Sequence, residues 1–561
     1  LLGALVIPLL RGKARPVAAL LLTVLSLGHL LMLGKGVTIS VTFFSYTLTV
    51  CRVDELSFVF GLIFHIAAIL GAIFALHEDD PVQHTASLIY VGSAIAAVFA
   101  GDFITLFVCW ELTAVSSVFL IWARRTPASY RAGMRYLVVQ VASGVLLLAG
   151  AVLHYLQARS LAFTNIGLSS TASWFVFTAF GIKCAFPLLH NWLQDAYPHA
   201  TPTGTVFLSA FTTKLAIYAL ARAFPGTPML GWIGAVMTVF PIFFAVIEND
   251  LRRTLAYSLN NQLGFMVVGI GLAVPGTPYE KLALNGACAH AFAHILYKAL
   301  LFMSMGAVLF RTGKINGSEL GGLYKSMPLT AVFCMIGAAS ISSFPLTSGF
   351  VSKSLVIDGA AQGHYVLTWL VLLFASAGVF HHSGIKIPFF AFYAHDSGIR
   401  CKEAPANMLL AMGLAAALCI GIGVYPQPLY DILPHRVDFA PYKATHVVTQ
   451  LQLLFFSGLA FTFLKKTGIY PPELRATNLD TDWFYRRLPK LLWQGVGAPA
   501  LAGLARCEAA LRTGLPRLLL GAPAPGGAIG RLPRPWAVSR VVVVVMLTLV
   551  VYLLFVFSRS R

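Results

Sequence analysis

Long, nearly unbroken apolar runs recur from one end of this chain to the other. FITLFVCWELTAVSSVFLIW at 103–122 is representative. A helix needs about 20 such residues to cross a hydrocarbon core of about 30 Å. The runs are continuous and do not alternate with a period of two, which excludes a transmembrane β-barrel. Only 11% of the 561 residues are Asp, Glu, Lys or Arg, and 58% are hydrophobic. A soluble domain carries about 25% charged residues. The pattern predicts an all-α polytopic membrane protein with about 15 transmembrane helices.

The runs fall near 1–10, 17–33, 57–77, 85–100, 103–122, 134–156, 174–192, 203–223, 230–248, 255–273 and 285–309. Further ones lie near 328–343, 351–360, 366–391, 406–424, 448–464 and 538–557. The opening LLGALVIPLL has no initiator Met, which reads as a trimmed or misassigned start. No Ala-x-Ala-like site ends it, so a cleavable signal peptide is not expected. The eight cysteines are scattered without ligand spacing, and no metal site, haem or cofactor is expected.

The net charge of +19 sits in short loops, which argues against nucleic acid as a partner. Arg11, Lys13 and Arg15, then Arg124, Arg125, Arg131 and Arg135, then Arg252 and Arg253, then Arg311 and Lys314 all follow odd-numbered runs. They therefore share one side. The positive-inside rule makes that side cytoplasmic and puts the N-terminus outside; Arg222 runs against the count.

Two runs are interrupted at mid-depth. Pro187 follows Lys183, and SSFPLTSGFVSK spans 342–353. Freed backbone groups cannot face lipid, so each break must be buried in protein or line a wet cavity. Discontinuous helices are predicted near 183–190 and 342–353. Residues 1–54 read as N-terminal spans with an external loop, 55–425 as the core and 426–464 as a last core span. Residues 465–536 read as an interfacial segment followed by a Pro/Gly linker, and 537–561 as an extra anchoring helix.

A few charges remain inside the runs, and an ionisable group at that depth marks a function. Glu111 stands alone in its run, and Lys183 and Lys214 stand alone in theirs. His290, His294 and Lys298 are spaced i, i+4, i+8, along about 12 Å of one helix face. Lys353 follows the second break. These seven residues are the candidate proton-translocating groups, with Glu111 as the carboxylate partner of Lys183. His190, Asp195 and His199 can feed protons from the cytoplasmic end. His381, His382 and Lys386 extend the path or mark a second water-filled end. Asp102 reads as a helix cap. Amines and imidazoles outnumber acids at this depth, which suits proton movement better than binding of bare Na⁺.

At these residues the chain resembles the D-type subunits of the multisubunit Na⁺/H⁺ (Mrp-type) antiporters and is similar to the antiporter-like membrane subunits of respiratory complex I. The segments are GDFITLFVCWEL, FGIKCAFPLLHNWLQDAYPHATPT, LSAFTTKLAIYAL, HAFAHILYKALLFMSMG and ISSFPLTSGFVSK. The resemblance implies two inverted five-helix repeats, each with a broken helix. It implies a Glu111/Lys183 pair, a relay through Lys214, His290, His294 and Lys298, and a terminal charge at Lys353. It also implies a bacterial inner membrane location and function only with partner membrane subunits. The expected role is proton translocation coupled to Na⁺ export, with a complex I-like or hydrogenase-linked pump as the alternative. A scaffold with frozen ion pairs is the third.

Overall fold

The computed structural model describes residues 1–436, 438–476, 478–520 and 538–559. Two units are distinguished, Leu1–Asp482 and Trp483–Arg561.

The first unit is a helical bundle. It opens with α1 (Ala14–Leu33), α2 (Glu55–Phe74), α3 (Pro81–Phe99), α4 (Phe103–Trp122) and α5 (Pro127–Ala158). Then come α6 (Thr171–Lys183), α7 (Asn191–Ala196), α8 (Pro202–Ala210), α9 (Thr212–Ala223), α10 (Pro228–Ile247), α11 (Leu251–Leu272) and α12 (Glu280–Thr312). Next are α13 (Pro328–Ile341), α14 (Ser348–Gln362) and α15 (Val366–Val379). A π-helical stretch (Phe380–Ile385), the single turn α16 (Lys386–Pro388) and a second π-helical stretch (Phe389–Tyr393) continue α15. The unit closes with α17 (Ala406–Val424), α18 (Gln427–Ile432) and α19 (Ala444–Lys466).

Local chemistry sets the starts. Asp54, Thr126 and Ser170 form reciprocal capping boxes, and Asp102 accepts from the N–H groups of Ile104 and Thr105, as expected for a cap. Pro81, Pro127, Pro202, Pro228 and Pro328 occupy first-turn positions, where no N–H is missed.

Among the described residues, eleven helices are long and apolar enough to cross a membrane. The expectation was about 15. The two predicted breaks divide their runs into short halves, and α11 carries Ser258, Asn260, Asn261 and Gln262 in its interior. The apolar run at 1–10 forms two short 3₁₀ turns, Leu2–Leu5 and Ile7–Leu9, not a helix. One small hairpin among the described residues lies outside the apolar runs. Thr38–Phe43 pairs antiparallel with Tyr46–Arg52 as a small hairpin, where β-branched residues follow one another between α1 and α2.

α12 is buried continuously from Asn285 to Leu309, while α19 is exposed over most of its surface. The long helix bearing His290, His294 and Lys298 is thus the axis of the bundle. Arg124, Arg135, Arg252, Arg253 and Arg311 gather at one end, where Arg124 and Arg252 both donate to the Pro198 carbonyl. Arg222 lies at the opposite end, paired with Asp54 at 2.7 Å.

The second unit holds α20 (Asp482–Leu492), which contains Pro489, a π-helical turn at Trp493–Gly497, α21 (Ala498–Leu520) and α22 (Val538–Arg559). The expected Pro/Gly linker, 521–535, lies outside the described residues.

Candidate functional site

Both predicted breaks form, and they share one backbone design. In the first, Ala185 and Leu188 take φ of 61° and 71°; in the second, Ser343 and Leu346 take 59° and 70°. Each pair brackets a Phe-Pro step. Phe186 N–H donates to Gly181 O at 3.0 Å, as Phe344 N–H does to Ala339 O at 3.0 Å. Non-glycine residues at positive φ are costly, and such strain collects at functional sites.

A third interruption, at Phe211 between α8 and α9, was not anticipated. Tyr90 covers it from α3: its hydroxyl accepts from Thr212 N–H at 3.0 Å and lies 2.6 Å from Thr212 Oγ1. Nothing in the local sequence announces this break, because the acceptor is supplied from 122 positions away.

Three lysines sit on carbonyls at or beside these interruptions. Lys214 Nζ donates to Ser209 O at 2.5 Å, just before the α8/α9 break. Lys353 Nζ donates to Ile341 O at 2.8 Å, the last residue of α13. Carbonyls at a helix C-terminus carry partial negative charge, so an ammonium is well placed there. Lys183, at the end of α6, donates to Trp110 O at 2.6 Å and Thr113 Oγ1 at 2.8 Å, with the Trp110 ring centroid 4.3 Å away. Trp110 is held in turn by Ser143, which accepts from its Nε1 at 3.0 Å and donates to Ala179 O.

Glu111 is the neighbour of Trp110, so Lys183 and Glu111 interact electrostatically. The expected direct pairing is not what forms. Lys183 donates to the backbone and hydroxyl of the same turn, and Glu111 Oε1 has no hydrogen-bond partner among the described residues. The carboxylate lies against Gly144 of α5, where a Cβ would collide with it.

On α12, His290 Nδ1 lies 3.2 Å from Ser352 Oγ of α14, and Tyr297 Oη donates to Gln262 Oε1 at 3.0 Å. The rings of His290 and His294 are 6.2 Å apart. Both nitrogens of His294 and the Lys298 Nζ are buried without a hydrogen-bond partner among the described residues. Buried polar groups are nearly always satisfied, so these unmatched ionisable groups, one helical turn apart, are out of the ordinary.

His382 and Lys386 occupy the π-helical region. His382 Nδ1 meets Ser383 Oγ at 2.9 Å, which donates to Ser258 Oγ at 2.7 Å. Lys386 donates to Val246 O and Glu248 O, each at 2.6 Å, and pairs with Glu473 at 3.0 Å. His190 meets Asp480 at 3.1 Å, and Tyr257 donates to the same carboxylate at 2.8 Å. Burial pushes the Asp480 carboxyl up, but the His190 hydrogen bond and charge bring it below its usual range. Burial keeps the Glu473 carboxyl above its usual range although Lys386 opposes it. Asp195 pairs with Arg135 at 2.7 Å and so joins the arginine-rich end, not the interior row. Sequence reading missed Tyr90, Tyr297, Ser352, Glu473 and Asp480. The three consecutive amides at 260–262, inside an apolar run, were an available signal for polar lining.

A family model described as "NADH:quinone oxidoreductase/Mrp antiporter, TM" matches residues 100–380. Hydrogenase-4 component B of Escherichia coli is 27% identical over 449 residues, which cover 72% of this chain and 67% of that protein. The A-type subunit of the Na⁺/H⁺ antiporter of Bacillus subtilis is 29% identical over 381 residues, covering 61% of this chain and 47% of its own length. The solved Mrp complex of a Dietzia species contains a chain with a TM-score of 0.75 and 24% identity. That match covers 94% of this chain and 63% of the other.

Proposed function

We propose, from the premise that this chain belongs to the NADH:quinone oxidoreductase/Mrp antiporter transmembrane family, that it is the proton-translocating subunit of a multisubunit Na⁺/H⁺ antiporter. The observation that carries this reading is the row of buried amines and imidazoles at interrupted helices. Protons pass from the Glu111/Lys183 turn to Lys214, then His290, His294 and Lys298, and reach Lys353. Partner membrane subunits supply part or all of the Na⁺ path. The core at 55–425 holds this row.

Two inverted five-helix repeats follow from the same reading. The shared Phe-Pro break supports them. So does direction: α6 runs toward the arginine-rich end, and α13 runs away from it. By the positive-inside rule that end is cytoplasmic. The quoted segments favour a D-type subunit, although the B. subtilis antiporter relative is of the A type.

Similarity to Hydrogenase-4 component B favours a second reading, a redox-driven pump. Co-purified partners separate the two: small antiporter subunits or hydrogenase and quinone reductase subunits.

ΔpH-driven Na⁺ efflux in vesicles bearing the whole complex tests the path. Lys183→Ala or Glu111→Ala is expected to lower it about 100-fold, the scale of a lost proton-transfer group. Undiminished exchange in the assembled variants would sink the assignment. Gly144→Ala is a finer probe. Ala should favour the helix by about 1 kcal/mol, yet its methyl displaces the Glu111 carboxylate. Efflux is expected to fall while the folded complex persists; unchanged efflux would show that the carboxylate position does not matter.

A further inference from the structure

After α19 the chain returns across the arginine-rich end as a strap, without helix or strand over residues 468–476 and 478–481. Leu474, Arg475 and Leu479 are exposed on it, while two of its carboxylates turn inward. The Glu473 side chain is 7% exposed and that of Asp480 is 4% exposed. We propose that these are the proton-uptake carboxylates of the path: Asp480 serves His190 beside the first break, and Glu473 serves Lys386 beside the π-helical stretch. This rests on the proton-path reading above and lies outside the family match, which ends at residue 380.

Three observations carry it. Each carboxylate is buried, yet it hangs from an exposed strap, so it links water to the interior. Each meets an ionisable group where a helix is irregular. Buried atoms without a hydrogen bond among the described residues remain at each contact: Nδ1 of His190 and both carboxylate oxygens of Glu473. A tether alone would not need buried ionisable pairs. Thr481 on Asn191, Asn478 on Glu248 and Arg475 on Glu319 already fasten the strap.

The transfers balance simply. A proton from water crosses Asp480 to Nε2 of His190; the imidazolium releases its Nδ1 proton inward, which leaves the Nε2–H tautomer, and a ring flip or tautomer exchange resets it for the next proton. At the other contact, Glu473 takes a proton from water and gives it to Lys386 once that amine has passed its own proton inward. His382, within electrostatic reach of Lys386, Lys298 and Lys353, is the next group.

Proton flux under an imposed ΔpH, in vesicles bearing the whole complex, tests this. Asp480→Asn and Glu473→Gln are each expected to lower flux at least about tenfold. Asp480→Glu should retain it, and added formate should restore the Asp480→Asn variant, because a small acid can replace a missing carrier. Lys183→Ala should stay inactive with formate. Wild-type flux in Asp480→Asn and Glu473→Gln would overturn the proposal. So would a loss that neither Glu nor formate repairs, since that marks a structural tie. Wild-type flux in Lys183→Ala would instead remove the underlying path.

Discussion

Lys298→Met is expected to abolish transport while making the complex more stable. Lys298 lies in the buried stretch of α12, is 1% exposed, and its Nζ has no hydrogen-bond partner among the described residues. Its nearest compensation is the Phe302 ring, with the centroid 5.8 Å away. A buried polar group left unmatched costs about 1–3 kcal/mol. Met keeps the length and volume of the side chain without that cost, so a gain of about 1–2 kcal/mol is expected. The lost proton carrier should lower flux about 100-fold. Thermal unfolding of the purified complex and flux in vesicles measure the two effects. A variant that transports normally, or one that melts earlier than wild type, would contradict this account. The opposite movement of stability and activity is the mark of a group retained for function at a cost to the fold.

Arg252→Ala should have the largest effect on stability. Arg252 is 1% exposed at the start of α11. Its guanidinium donates to Pro198 O and Ala200 O at 3.1 Å and to Thr201 O at 3.1 Å, and it contacts Thr205 Oγ1. These are the backbone groups of the turn between α7 and α8. Removing the guanidinium orphans several buried carbonyls at once, for a loss of about 3–5 kcal/mol. Lys in its place keeps the charge but lacks the planar fork, so it should recover only part of the loss. The turn also sets where α8 begins, and with it the break that holds Lys214, so transport should fall in parallel. A melting temperature within a degree or so of wild type would show that the turn holds itself.

Much of the site was legible in the sequence for a definite reason. An isolated Lys, Glu or His in an apolar run is conspicuous, and Phe-Pro steps flanked by apolar halves announce a break. The contacts made by those residues were not legible. Lys183 and Glu111 read as a pair because they are the only opposite charges at that depth in this half. In the folded chain the amine goes to Trp110 O and Thr113 Oγ1, since a carbonyl and a hydroxyl of the same turn come within reach first. The π-helical turns around His382 are likewise set by packing with the helices beside them.

The sequence by itself determined the membrane class, the positions of nearly all helices, two of the breaks and the identity of the interior charges. Each of these depends on a local property: run length, a proline, a capping residue or a lone charge. Tertiary structure alone decided which carbonyl holds each lysine, which imidazoles remain without a partner, where α8 and α9 part, and that the strap after α19 brings Asp480 to His190 across 290 positions. Those outcomes depend on contacts between segments far apart in the chain, and no local pattern specifies which of several buried acceptors a long, flexible amine will reach.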